Sequence, residues 1–227
     1  MMNPNRKIVS RRARPAKEPL SHELIVRTAY SLLKEEGMSG MTMRKVAKAL
    51  DTGPSSLYVY VKNLQELNAY VMDYGLGSLE WPAPWEGPWK SRLFDALESY
   101  LMLLYEQPGL AELSLTTLPM GDNFLRLTEF ILSTLQEAGI QSRSAAWGAD
   151  LFLFYVSSVA FEQTSRDKHG GQQMPVVKET FLSADPVRYP LIAGLKGEMF
   201  SGDIESKERF RWGLEVILQG LLQTQGL

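Results

Sequence analysis

Residues 42–62 read TMRKVAKALDTGPSSLYVYVK, and the interpretation of the whole chain turns on this stretch. Two short helical patterns, Met43 to Leu50 and Pro54 to Tyr60, are separated only by Asp51-Thr52-Gly53, the spacing of a helix-turn-helix. Thr42 stands where a hydroxyl can cap the first helix. Val46, Ala47 and Leu50 then share one face, which leaves Arg44, Lys45 and Lys48 toward solvent or phosphate. Gly53 suits a tight turn, and Pro54 suits a first helical position, where no amide hydrogen is needed. In the second helix Leu57 and Val61 point inward, so Ser55, Ser56, Tyr58, Val59 and Tyr60 share the outward faces. Two tyrosines and a valine without intervening charges are an unusual solvent face. Small hydroxyls can enter a major groove, and tyrosine hydroxyls can reach phosphates or base edges. The plain alternative is a helical hairpin whose aromatics pack on a neighbour.

The flanks extend this unit. Downstream, Asn63 with Glu66 three residues later forms a capping-box-like start to a helix running to about Tyr74. Upstream, Ser21 opens a helix with Leu24, Ile25, Ala29, Leu32 and Leu33 on its buried side, and Gly37 ends it. His22, in the first turn of that helix, is expected to be exposed and structural. The order T-M-R-K-V-A-K-A-L, a three-residue turn, then S-S-L-Y-V-Y-V-K-N and a following helix resembles the N-terminal domain of TetR-family (tetracycline-repressor-like) transcriptional regulators. The match spans roughly residues 21 to 75. It departs at Leu64, where family members often carry a lysine beside a phosphate. The expected DNA contacts are Arg44, as a bidentate guanine reader, and Thr42, Lys45, Pro54, Ser55, Ser56, Tyr58, Tyr60 and Lys62, as phosphate or mixed contacts.

Composition agrees with such a role. The chain has 227 residues, 44% of them hydrophobic, enough for a sizeable core. With no cysteine, neither disulfides nor thiolate metal sites can form, which fits a reducing cytoplasm. The net charge of -2 hides an asymmetry: residues 1–75 hold 12 Lys+Arg against 7 Asp+Glu, and residues 76–227 hold 12 against 19. A basic third joined to an acidic remainder is the footprint of a chain that meets a polyanion at one end. Arg6, Lys7, Arg11, Arg12, Arg14 and Lys17 lie in a Pro-interrupted segment, residues 1–20, expected to be a disordered arm along phosphates or in the minor groove, or else a solubilising tail. The N-terminus has no signal-peptide-like apolar stretch. The longest apolar-rich run, Leu151 to Phe161, is short of the ~20 residues needed to span a bilayer, so no membrane is expected.

Gly75, Gly77 and the Trp/Pro-rich run from Trp81 to Trp89 mark a boundary, giving a DNA-binding domain over 21–75 and a second domain over 76–227. The second domain carries only helical patterns, so the chain is expected to be all-α. One apolar stripe stops at Pro108-Gly109 and another at Gly139. A third helix runs from about Ser144 to Ser165, followed by a loop over Arg166 to Pro175. A last helix covers about 204–223. The two long apolar helices either pair two copies of the chain or form the monomer's own core. The resemblance implies a homodimer, a palindromic double-stranded DNA operator and a small organic effector bound between the helices.

Candidate effector contacts are Trp85, Trp89, Phe94, Met102, Ser114, Thr117, Trp147, Phe152, Tyr155 and Glu162, with Trp81, Phe154 and Met120 nearby in pattern. The same residues fit a dry core. The family's metal-ligating histidine falls near Ser114, so no metal–drug complex and no cofactor are expected. The two histidines, His22 and His169, have no nucleophile or paired carboxylates at an informative spacing, which argues against an enzyme. The expected function is a cytoplasmic transcriptional repressor whose DNA affinity falls when an effector binds. The alternative is a regulator without an effector, its C-terminal domain serving only dimerisation or protein recruitment.

Overall fold

In the computed structural model of the protein, residues 18–81, 87–117, 120–201 and 207–224 are described, and they comprise ten α-helices with no strand. The basic arm over residues 1–17 and Trp85 of the linker lie outside the described residues. α1 (His22–Glu36) starts at Ser21, whose hydroxyl accepts from the Leu24 amide at 3.1 Å. It ends at Gly37, whose φ of 66° lies in the region that favours glycine. A 3-10 turn over Gly37–Gly40 leads into α2 (Met43–Ala49), capped by the Thr42 hydroxyl on the Lys45 amide at 3.2 Å.

α3 (Pro54–Leu57) is shorter than the pattern to Tyr60 suggests. The amides of Tyr60 and Val61 both close on the Leu57 carbonyl, at 2.9 and 3.0 Å, so a turn continues the coil. Leu57 and Val61 are accordingly buried with Val46, Ala47 and Leu50, while Tyr58, Val59 and Tyr60 are exposed. α4 (Leu64–Leu76) is capped by the Asn63 side chain on the Glu66 amide at 2.8 Å. It runs past Tyr74 to Leu76, with Gly75 buried inside it.

The second unit contains α5 (Trp89–Glu106), α6 (Pro108–Thr116), α7 (Asp122–Glu137), α8 (Ser142–Leu182), α9 (Pro190–Met199) and α10 (Glu208–Gln223). Pro108-Gly109 ends α5 by starting α6, because proline in a first turn gives up no helical hydrogen bond. None of the residues of α9 is buried. The largest correction concerns α8, which is continuous for 41 residues through the stretch expected to be a loop, with Pro175 inside it. Gly170, Gly171 and Pro175 weaken a helix by about 1 kcal/mol per glycine and about 3 for proline. Extending an existing helix avoids a second nucleation step, so isolated breakers do not end it.

α8 packs against α5, α6, α7 and α10. It meets α10 antiparallel: Gly148 lies against Leu221, and Tyr155 stacks on Phe210 at 5.6 Å beside Gly213. Phe152, Val156 and Ala160 of α8 are fully buried, whereas Trp147, Leu151, Phe154 and Phe161 are exposed on its other side. Ser142–Arg166, 25 residues, is by length and composition apolar enough to cross a membrane, which Leu151 to Phe161 alone is not. Phe152, Val156 and Ala160 of this stretch are buried in the helical body.

α4 belongs to both units. Its Gly75 accepts the Leu110 side chain of α6 at its backbone, and Asp73 reaches the start of α7. α7 has no side-chain cap of its own, and the Asp73 carboxylate accepts from the Phe124 amide at 2.9 Å and from the Asn123 side chain at 3.2 Å. Asp73 is thus an N-cap supplied from another helix. Gly121 makes the approach possible, since a Cβ there would fall 2.2 Å from the carboxylate carbon. Asp73→Ala is expected to lower stability by about 1–2 kcal/mol, the size of a lost cap. Asp73→Asn should lose less, and urea unfolding midpoints at fixed protein concentration will measure both.

Candidate functional site

The outward surface of residues 42–62 is the candidate nucleic-acid interface, and its geometry sorts the expected contacts. Arg44 and Lys48 are exposed on α2, and among the described residues neither side chain has a hydrogen-bond or ion-pair partner. Pro54 and Ser55 are exposed at the start of α3, with Ser56 half-buried behind them. Tyr58 is 54% and Val59 80% exposed, an apolar-tipped surface beside free cations.

The other candidates already have internal partners. Thr42 holds the α2 cap. The Lys45 ammonium pairs with Glu36 at the end of α1. Both side chains of that pair are exposed, so it contributes roughly 0–1 kcal/mol and yields readily to a phosphate. Lys62 donates its amide to the Glu66 carboxylate, while its ammonium, 3.9 Å from the same group, is 87% exposed and extends outward. The Tyr60 hydroxyl donates to the Leu20 carbonyl at 2.7 Å, a long-range bond with no signature in local sequence. His22 is exposed, with its ring edge-on to Tyr70 at 4.4 Å.

In the C-terminal unit the expected effector contacts do not converge on one cavity. Tyr155 and Glu162 line a cleft of about 290 Å³ between α8 and α10, with Leu101, Arg166, Phe210 and Trp212. Met102 lines a separate, acidic cleft with Asp95, Glu98 and Lys207. Phe152 is fully buried in the core, and Trp147 is 68% exposed on the outer face of α8. Trp89 and Phe94 are half-buried on α5, where the Lys90 ammonium lies 5.6 Å from the Phe94 ring. Ser114 donates to the Ala111 carbonyl at 2.8 Å, and Thr117 is buried after α6.

Several polar groups of this unit are held between helices. Tyr100 is fully buried on α5, with its hydroxyl 3.3 Å from Ser157 on α8. Burial pushes its pKa to about 12, partly offset by hydrogen bonding to Ser157 and Ser114, so it stays a neutral hydroxyl at physiological pH. Burial likewise raises Tyr155. Glu98, 7% exposed, receives Arg211 at 2.5 Å and Lys207 at 3.3 Å from the start of α10. The hydrogen bond and charge of Glu98 push the Arg211 guanidinium further up. Among the described residues no three His, Asp or Glu side chains are grouped to hold a metal ion.

Two family models match the chain. One is described as bacterial regulatory proteins, tetR family, over residues 25–69; the other as tetracyclin repressor-like, C-terminal domain, over residues 81–225. The HTH-type transcriptional repressor DrrR1 of Streptomyces coeruleorubidus is 27% identical over 93% of this chain and 80% of its own. An HTH-type transcriptional regulator of Saccharopolyspora erythraea is 26% identical over 92% of this chain and 87% of its own. The Streptomyces coelicolor TetR family protein ActR, in complex with actinorhodin, superposes with a TM-score of 0.81 at 31% identity, covering 92% of this chain and all of that one.

Arg44, exposed and free on α2, is the side chain we read as a base contact. Arg44→Ala is expected to cost ~1–3 kcal/mol at a preferred duplex and to relax sequence discrimination. Binding titrations against preferred and scrambled duplexes decide this: equal losses on both would make Arg44 a phosphate contact.

Proposed function

Because the chain belongs to the TetR family of transcriptional regulators, we propose that it acts in the cytoplasm as a homodimeric repressor, bound to a palindromic operator and released by a small organic effector. The observation that carries this reading is the two-sidedness of the α1–α4 unit. One side offers Arg44, Lys48 and Tyr58 without internal partners, and the other is fastened through Leu110 and Asp73 to the helices of the C-terminal unit. A shift of α6 or α7 therefore moves the reading surface. The effector must prefer the non-binding state, and about 5.5 kcal/mol of preference takes a two-state equilibrium from 1:99 to 99:1.

The dimer reading rests on the second apolar face of α8. Trp147, Leu151, Phe154 and Phe161 recur at helical spacing along it, and Trp212 and Val216 of the antiparallel α10 are exposed as well. A contiguous apolar face of this kind marks an interaction surface. A second copy suits it functionally, because two short recognition helices read half-sites about one helical turn apart or multiples of it. ActR, similar over nearly the whole chain, was crystallised with actinorhodin. For this chain we assign the effector to the cleft at Tyr155 and Glu162, where stacked aromatic rings and a carboxylate offer apolar cover with a polar anchor.

Two measurements test this reading. Leu151→Glu combined with Phe154→Glu should convert dimer to monomer in size-exclusion chromatography with light scattering, and operator affinity should fall with it; a persisting dimer would place the interface elsewhere. Operators selected from random duplexes then allow compounds, actinorhodin among them, to be screened for displacement. Tyr155→Ala should weaken an active compound about tenfold, ~1.4 kcal/mol, with DNA affinity unchanged.

A further inference from the structure

We propose that the Tyr100 hydroxyl is the joint through which occupation of the cleft at Tyr155 and Glu162 is felt by α6, and so by the DNA-reading helices. This rests on the assignment of the effector to that cleft. Tyr100 is 2% exposed, on a helix where Leu93, Leu97, Leu101 and Leu104 are also buried. A phenylalanine ring would bury the same apolar surface, so packing alone does not call for the hydroxyl. Its partners are the Ser157 hydroxyl of α8, at 3.3 Å, and the Ser114 hydroxyl of α6. One phenol thus ties α5 to both neighbouring helices.

That phenol has a single proton, which serves only one of the two serines at a time. Ser114 already donates to the Ala111 carbonyl at 2.8 Å, so toward Tyr100 it can only accept. Between Tyr100 and Ser157 either oxygen can be the donor. Tyr100 therefore either donates to α8 and leaves Ser114 unfilled, or donates to α6 and accepts from Ser157. At 3.3 Å the Ser157 contact is longer than the ~2.7–2.8 Å usual between hydroxyls, so a small movement of α8 decides between the two arrangements. α8 stands between the cleft and this joint. Tyr155 and Val159 line the cleft. Ser157 is two residues from each, which carries it about 200° round the helix, to the far side. An occupant that displaces α8 changes the Ser157 contact with it. On α6, Ser114 lies one turn beyond Leu110, whose side chain rests against Gly75 of α4.

The test needs no effector, because Val159→Trp adds an indole to the cleft wall and stands in for an occupant. Fluorescence anisotropy with a duplex selected from random sequence by the unaltered chain compares full-length proteins: the unaltered chain, Val159→Trp, Tyr100→Phe and the combination. Matching thermal midpoints will confirm intact folds, and Val159→Phe takes the place of Val159→Trp if the larger ring prevents folding. Val159→Trp should weaken duplex binding about tenfold, inside the ~5–150-fold range of allosteric couplings. Tyr100→Phe alone should leave binding within about twofold, and in its background Val159→Trp should cost no more than about twofold. Ser157→Ala, which removes the same bond from the side of α8, should reproduce Tyr100→Phe. An equal loss from Val159→Trp in both backgrounds would overturn the joint and leave the cleft assignment standing. Weakened binding by Tyr100→Phe alone would make the hydroxyl a structural support and overturn the joint. Binding unchanged or tightened by Val159→Trp in the unaltered background would overturn the cleft assignment, and the joint with it. Selection of no duplex would overturn the repressor reading and everything that rests on it.

Discussion

At Gly75 the missing side chain lets Leu110 of α6 lie against the backbone of α4; a Cβ there would sit 2.6 Å from the leucine's terminal carbon. The same device recurs at Gly109, whose Cβ would sit 2.6 Å from the Leu33 side chain of α1. These two approaches bring the DNA-reading helices and the C-terminal helices into one packed body. Packing at such separations leaves no room for sliding without repacking, because protein interiors are close-packed and felt to the single methylene. Asp73 on the start of α7 and the Tyr30 hydroxyl on Gln107 then fix the angle at which the units meet. The orientation of α2 and α3 is consequently a property of the C-terminal unit, which is what ligand control of DNA binding needs.

α8 is the second organising element. Its inner face is built from small and large apolar residues that match α5, α6 and α10, and its outer face exposes large side chains whose burial contributes about 1.5–3 kcal/mol each. That face is the one to which we assign the second copy in the proposed dimer. α4 joins the two units, and α8 carries the exposed apolar face on which the proposed dimer rests.

The parts of this arrangement that were legible in the sequence are those whose physics is local. Thr42, Asn63 and Ser21 cap the helices they precede, and Gly53-Pro54 separates α2 from α3, because caps and turns are decided within four residues. The burial of Leu57 and Val61 follows from spacing alone. The run of α8 through Gly170, Gly171 and Pro175 was hidden because breaker residues carry a local cost that a long helix overrides. The cleft at Tyr155 was hidden for another reason: Phe210 and Trp212 reach it from more than fifty positions away, and the pattern of neither helix records the pairing. Tyr60 shows the same limit at single-residue scale. Its outward position was readable from the sequence, but its commitment to Leu20 depends on two segments meeting in space.

The central claim is that α4 is held by the C-terminal unit as firmly as by its own. Native-state hydrogen exchange along the chain addresses it directly. The amides of Leu64–Leu76 should share the protection of α5 and α6 and be lost in the same opening event, with α2 and α3 the first to exchange. If α4 opened together with α2 and α3 while α5 and α6 stayed protected, the reading head would be an independent module and the account would be wrong.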